Sequence, residues 1–393
     1  MDEVEVKEVS LDMRDYIVSS GADTLSWCMQ CGLCTNLCPW RQVKGEVSES
    51  FNIRKMQRMG QLGLEGFEDE NILFACVTCG MCLVNCPRKV EIIKNVRSMR
   101  STTVEAGFLP AGLRPIAGSL HANNNPWSGE QEKRAAWQNG LDIPAFSEET
   151  EYLLYVCCTS CYDTRSQKIA KSVVKMLKQA GVSFGVLTAD EKCCGESIRK
   201  LGDEALFTKL AESNIKLFQE KGVKKIITTS PHCLYAFKKD YPELGGEFEA
   251  QHYTEVLSAL LKEGKLTIPG ELAKKVTFHD PCYLGRHNEV YDAPRELLQA
   301  VPGAELVELE RNKNRSLCCA GGGGRVWAET PFGERFGELR INDAVDKKAE
   351  ILVTACPYCI TMLDDACAGL EKGDVLQVME LSELLCTASQ PKV

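Results

Sequence analysis

The stretch 351-ILVTACPYC-359 sets an apolar, β-branched run of strand length directly against a Cys-x-x-Cys pair, and runs of that composition read as buried strands. The same grammar recurs at 225-KIITTSPHC-233 and 275-KVTFHDPC-282, and 152-YLLYV-156 leads into Cys158. Two shorter apolar runs, 184-FGVL-187 and 305-ELVEL-309, complete the strand set. Helical patterns over 168–180, 203–221, 293–300 and 333–348 fall between these strands. Strands alternating with helices specify right-handed β-α-β units and a parallel sheet. In such a sheet the strand ends gather at one edge, where open α/β folds bind ligands. Cysteines more than seventy residues apart thereby become neighbours.

Five late cysteines exploit that edge. Cys282 and Cys318 are separated by 35 residues, Cys319 and Cys356 by 36, and Cys359 completes a C-x-x-C. An earlier set, Cys158, Cys193, Cys194, Ser230 and Cys233, repeats the spacing with gaps of 34 and 35. Matched positions are offset by 124 to 126 residues, the signature of a duplicated domain. Ser230 stands where the later copy has Cys356. Adjacent side chains diverge, so vicinal Cys318 and Cys319 suit a larger or irregular cluster better than a single ion. A buried cysteine is often only a small hydrophobe, but a duplicated C…CC…CxxC pattern argues against that reading. Cys367 and Cys386, in helical stretches, fit it.

The chain has 393 residues, 44% of them hydrophobic, enough for two to three domains with sizeable cores. Its 46 basic and 55 acidic residues give a net charge of -9, which speaks against nucleic-acid binding. The basic stretches Arg54-Lys55 and Arg97 to Arg100 read as solvated helix faces, with docking of an acidic protein as the alternative. The acidic start MDEVEVKEVS lacks a secretory signal, and no apolar run is long enough to span a membrane. The expected location is the cytoplasm, or a membrane surface reached through a partner protein. Twenty-one cysteines in such a chain point to metal or redox use, because the cytosol keeps thiols reduced.

The fold class is a multidomain α+β chain: an all-helical domain over 1–106, a connecting arm over 107–150, and tandem α/β domains with parallel sheets over 151–270 and 271–393. The helical part carries C-x2-C-x2-C-x3-C-P twice, as Cys28, Cys31, Cys34, Cys38 and as Cys76, Cys79, Cys82, Cys86. This is the bacterial ferredoxin run, in which the fourth cysteine crosses to the other cluster. The expected [4Fe-4S] sets are Cys28, Cys31, Cys34, Cys86 and Cys76, Cys79, Cys82, Cys38. Zinc ribbons also use C-x2-C pairs, but two identical runs each closed by proline favour iron. The 37 residues between Cys38 and Cys76 exceed the spacing of a small two-cluster ferredoxin, and resemble the helical ferredoxin domain of respiratory dehydrogenase subunits. The arm (FLPAGLRPIAG, NNNPWSG) is rich in Pro, Gly and Asn, and Trp127 and Trp137 mark it as packed against something.

The segments CCTSCYDTR, EKCCGES, TTSPHC, FHDPCYLGRHN, SLCCAGGGGR and TACPYC resemble the two cysteine-rich CCG domains of heterodisulfide reductase. With the ferredoxin runs, the chain resembles the D-type polypeptide of that enzyme, which fuses the equivalents of its C-type and B-type polypeptides. The resemblance extends to iron-sulfur subunits of glycolate oxidase and anaerobic glycerol-3-phosphate dehydrogenase, and to subunits of sulfate-reduction and anaerobic aromatic-degradation complexes. It implies a noncubane [4Fe-4S] assembly on Cys282, Cys318, Cys319, Cys356 and Cys359 that reductively splits a disulfide. The first copy keeps Cys158, Cys193, Cys194 and Cys233, enough for an ordinary cubane; Cys157 or Cys161 are candidate substitutes for the missing thiol, and an empty site is the alternative.

Gly321, Gly322 and Gly323 lack the spacing of a nucleotide loop and are expected to bring backbone N–H groups close to the cluster sulfurs. His279, Asp280, His287 and His232 flank the cysteines as candidate proton donors, with structural hydrogen bonding as the alternative. No flavin or nicotinamide fingerprint is present. The expected function is an iron-sulfur oxidoreductase subunit passing electrons from the N-terminal clusters to the C-terminal one. A redox partner, whether flavoprotein, hydrogenase-like or membrane cytochrome, would supply them. The alternatives are a pure electron-transfer subunit of a flavoprotein or acyl-CoA-processing complex, and a zinc-stabilised scaffold.

Overall fold

The computed structural model describes residues 8–68 and 70–389; the start of the acidic N-terminal segment, residues 1–7, lies outside them. Among the described residues eight strands form two four-stranded sheets. In the first, β1 (Tyr152–Tyr155), β2 (Phe184–Gly185), β3 (Lys225–Thr228) and β4 (Glu249–His252) lie in the order β2-β1-β3-β4, all parallel. In the second, β5 (Lys275–Phe278), β6 (Glu305–Leu306), β7 (Ile351–Thr354) and β8 (Gln377–Glu380) repeat it as β6-β5-β7-β8. Every residue of β7 is buried, as expected for a parallel strand covered on both faces. The sequence reading lacked β4 (EAQH) and β8 (QVME), whose polar residues interrupt the apolar signal. The strand read at 305–309 shrinks to two residues at the sheet edge.

Each sheet reverses its winding between its first and third strands, so β1 and β3, and likewise β5 and β7, meet at a topological switch point. Cys158, Cys233, Cys282, Cys356 and Cys359 follow those four strands, while Cys193-Cys194 and Cys318-Cys319 lie in the loops beyond β2 and β6. The domains also share their helices' apolar faces. Helix Gln167–Gln179 of the first packs on Leu381–Ala388 of the second, and Tyr253–Lys262 of the first on Asp292–Gln299 of the second. Ser258 and Lys262 hold Glu296 across the second pair, while Arg165 reaches Asp364 at 3.0 Å and Glu383 at 2.8 Å.

The N-terminal domain is helical, with principal helices Leu11–Ser19, Ile53–Leu62 and Ile92–Glu105. Ser10 and Asn52 cap the first two by accepting from Met13 and Lys55 backbone N–H groups. The arm contributes helix Arg114–Asn123, and its end extends the first sheet: Phe146 donates its backbone N–H to Val186 at 2.9 Å. Trp127 packs on Trp327 of the second domain with ring centroids 6.0 Å apart, and Trp137 is buried.

Two basic residues depart from the solvated reading: Arg97 is largely buried and pairs with Glu204 of the first α/β domain at 3.2 Å, and Arg100 is the second. Arg100 is fully buried. Its guanidinium donates to the carbonyls of Leu73 and Cys76 in the helical domain, Lys200 in the first α/β domain and Gly323 in the second. Five donors in a planar fork suit a point where three backbone segments present carbonyls. The spacing of charged residues alone could not reveal that convergence. Burial lowers the Arg100 pKa to about 10, so it remains a cation at neutral pH.

Candidate metal centres

The two ferredoxin runs form two thiol-lined cavities. Cys28, Cys31, Cys34 and Cys86 line one, and Cys38, Cys76, Cys79 and Cys82 line the other. Each run therefore lends its fourth cysteine to its partner. Gly32 and Gly80, both in the left-handed region (φ +83° and +76°), turn the chain inside each run before the short helices Leu33–Leu37 and Met81–Val84. Cys31 is exposed and Cys28, Cys34 and Cys86 are partly so, whereas the second set is buried. Burial, reinforced by neighbouring cysteines, pushes the thiols of Cys38 and Cys82 well up. Such thiols ionise together only beside a compensating cation, which is what the iron of a cluster provides.

The late five cysteines meet where the sequence pattern places them. Cys359 Sγ lies 3.3 Å from Cys319 Sγ; Cys356 neighbours Cys359, and Cys318 neighbours Cys282 and Cys319, closely enough to shift one another's thiol pKa. Ala320 and Gly321 backbone N–H groups point at Cys318 Sγ (3.3 Å) and Cys319 Sγ (3.5 Å). The rest of the glycine run has another use. A Cβ on Gly322 would lie 2.4 Å from the Val77 carbonyl, and one on Gly323, at φ +62°, 2.4 Å from that of Cys76. These two glycines let the second α/β domain close onto the ferredoxin loop rather than serving the sulfurs.

That closure joins two cysteine sets. Cys318 neighbours Cys79 and brings its thiol down to about 6 against burial, with help from Arg286. Arg286 Nε donates to the Cys79 carbonyl at 2.7 Å, and His287 Nε2 meets the Thr78 carbonyl at 2.9 Å. His287 is thus a staple between domains rather than a proton donor to Cys282. Asp280 is likewise structural, held by Arg295 at 2.7 Å and 3.0 Å.

The remaining two histidines face thiols. Arg340 Nε donates to His279 Nδ1 at 3.2 Å, leaving the proton on Nε2. That buried nitrogen has no nitrogen or oxygen partner among the described residues. One ring nitrogen and the sulfurs of Cys319 and Cys359 lie within 4.8 Å of one another. His232 belongs to the first domain but neighbours Cys356 of the second; its Nδ1 lies 3.0 Å from Glu196. Burial opposes a charge on His232, and Glu196 and Cys356 outweigh it, raising its pKa well above the usual range. Cys356, opposed by burial, is drawn down to about 6 by Cys359 and His232.

In the first domain Cys194 Sγ lies 3.4 Å from Cys233 Sγ, and Cys158 neighbours Cys193. The sequence reading missed Arg134, a buried arm residue that donates to Cys158 Sγ at 3.2 Å, to the Val156 carbonyl and to Glu191. Its only signal was a basic residue near Trp137 in a segment otherwise read as connector. Cys367, buried in a helix, donates to the Leu376 carbonyl at 3.4 Å. All four cysteine sets gather their thiols together, three of them buried and the set of Cys28, Cys31, Cys34 and Cys86 partly exposed, a donor chemistry that fits iron-sulfur clusters.

The chain matches the cysteine-rich domain (CCG) family twice, over residues 152–238 and 276–364, and the 4Fe-4S dicluster domain family over 24–90. It is 41% identical over 80% of its length to a probable iron-sulfur-binding oxidoreductase, FadF, of Bacillus subtilis, covering 46% of that protein. It is 37% identical over 88% of its length to the EtfAB:quinone oxidoreductase of Syntrophomonas wolfei, covering 50% of it. The chain thus spans about half the length of these two relatives. By contrast, 30% identity to the D-type polypeptide of the dihydromethanophenazine:CoB--CoM heterodisulfide reductase of Methanosarcina barkeri covers 93% of this chain and 94% of that one. Fold and cysteine sets together define an iron-sulfur protein built from a dicluster ferredoxin domain and paired CCG domains. Within that class, the chain belongs to the family of heterodisulfide reductase D-type polypeptides.

Proposed function

We propose that this chain receives electrons from a redox partner at its ferredoxin domain and delivers them to the second CCG site, where a disulfide is reduced. The assigned cofactors are two [4Fe-4S] clusters on the crossed ferredoxin sets, a noncubane [4Fe-4S] cluster on Cys282, Cys318, Cys319, Cys356 and Cys359, and a further cluster at the first CCG site. When bound, these supply one-electron redox chemistry that no side chain offers. The observation that carries the reading is the proximity of Cys79 and Cys318, each of which shifts the other's thiol pKa, so that a ferredoxin thiol neighbours a CCG thiol. The first CCG site is not needed as an intermediate on this route.

Reduction of R–S–S–R′ consumes two electrons and two protons and releases RSH and R′SH. The electrons come from the partner; His232 would deliver one proton and solvent the other, while His279, whose pKa burial and the Arg340 charge lower, would steady a departing thiolate through its Nε2–H. Arg340 fixes the His279 tautomer with the proton on Nε2, and Glu196 holds His232 beside Cys356. Buried Tyr283 and Tyr358 pack on His232 and keep bulk water from it.

The proposed donors are a flavoprotein, a hydrogenase-like subunit or a membrane cytochrome. Among the described residues no helix is long and apolar enough to cross a membrane, so a cytoplasmic chain attached to the membrane through its partner fits. The relative named as an EtfAB:quinone oxidoreductase favours a second reading, a relay between a flavoprotein and another carrier without a disulfide substrate. Anaerobically purified protein, reduced by an artificial one-electron donor, is expected to be brown and to reduce a disulfide, and Cys356→Ser to abolish turnover. Intact clusters with no activity toward any disulfide establish the relay instead.

A further inference from the structure

In the first CCG domain Ser230 occupies the place of a thiol. The strand register shows where that thiol has gone. β1 and β3 pair with Tyr155 opposite Thr228, and carrying the register two residues past the strand ends sets Cys157 beside Ser230. In the second domain β5 and β7 pair with Phe278 opposite Val353, and three residues further Pro281 falls beside Cys356. One domain therefore has Cys and Ser on adjacent strand ends where the other has Pro and Cys. Neighbouring strands lie about 4.8 Å apart, so a sulfur on either strand end can reach the same point in the crevice.

The local contacts agree. Cys157 is buried, its backbone N–H bonds Thr229 Oγ1 at 3.3 Å, and its thiol neighbours Cys233 and Ser230. Cys161, the other spare thiol, turns back to the Val156 carbonyl at 3.4 Å. From this geometry we infer that Cys157 is the fifth ligand of the first CCG site, so that both CCG domains hold five-thiol, noncubane clusters. This rests on the iron-sulfur reading of the CCG sites given above. The paired sites face each other through His232, Tyr283 and Tyr358, with Tyr358 Oη 3.0 Å from Ser197 Oγ of the first domain.

The test uses Mössbauer and EPR spectra of the full chain purified anaerobically. Cys157→Ala is expected to remove about half of the noncubane signal, since one of two such sites loses a ligand, whether the remaining four thiols keep a cubane or lose iron. Cys157→Ala combined with Ser230→Cys is expected to restore it by returning the thiol to the neighbouring strand. Cys161→Ala should leave the spectrum unchanged. Full noncubane signal in Cys157→Ala, or no restoration in the combined variant, overturns the inference. If Cys157→Ala fails to fold, the combined variant alone decides. Unchanged iron and spectra in Cys158→Ala would instead overturn the underlying assignment of a cluster to this site.

Discussion

His232 stacks on Tyr283 with ring centroids 3.8 Å apart and an interplanar angle of 25°, and this contact seats a histidine of one CCG domain against Cys356 of the other. If His232 delivers a proton during disulfide reduction, His232→Gln should lower turnover about 100-fold, the low end for a general acid, while iron content and the noncubane spectrum stay as in the parent. Unaltered turnover with intact clusters would reduce His232 to a packing residue.

Arg100 gathers carbonyls from all three domains. Arg100→Leu leaves them buried and unpaired and is expected to cost at least about 3 kcal/mol, read by denaturant unfolding and by proteolytic release of the ferredoxin domain. Arg100→Lys should rescue little, because an ammonium cannot span the same carbonyls.

Gly323 is tight for a different reason. Its positive φ and the Cys76 carbonyl 2.4 Å from a would-be Cβ predict that Gly323→Ala lowers stability by about 1–3 kcal/mol and slows electron transfer from the ferredoxin clusters to the second CCG site in stopped-flow reduction. Gly112→Ala, where a Cβ meets nothing within 4 Å, serves as the control.

Glu380 and His252 end equivalent strands, and Tyr253 Oη donates to Glu380. Burial raises the Glu380 carboxyl from 4.5 to about 7. A raised carboxyl pKa means that the folded state binds the proton more tightly, so its stabilising contribution is complete below pH 4.5 and is lost as pH rises through 7. Glu380→Gln, which retains an acceptor oxygen, should therefore flatten the fall in melting temperature between pH 5 and pH 8.

Exposure orders the clusters by vulnerability. Cys31 is exposed and its companions partly so, while the other ferredoxin set is buried. Chelator under mild oxidation should strip the set of Cys28, Cys31, Cys34 and Cys86 first, seen as early loss of one cubane EPR signal with the noncubane signal intact. Simultaneous loss of both cubanes would contradict this order.

The sequence was most legible where chemistry repeats at fixed spacing. The ferredoxin runs, the strands before each cysteine cluster and the duplication all follow from local pattern, because C-x2-C spacing and β-branched runs act over a few residues. Residues whose roles depend on tertiary convergence were opaque. Arg100 looks like any helix-face arginine, Arg134 sits in a segment that reads as connector, and Gly322 and Gly323 gave no sign that another domain's backbone would press against them. His287 and Asp280 stand beside Cys282 in sequence, yet the turn after β5 directs them to Thr78 and Arg295.

The exchange of fourth cysteines between the ferredoxin runs also bears on biosynthesis. A growing chain that has exposed Cys28, Cys31, Cys34 and Cys38 holds four thiols in sequence but no finished cavity, because Cys38 and Cys86 line opposite ones. Both cavities gain their last wall only as the segment from Cys76 to Cys86 appears. Scaffold proteins that donate preformed clusters therefore meet a binding-competent domain only after that segment has left the ribosome, and the two sites mature as a pair.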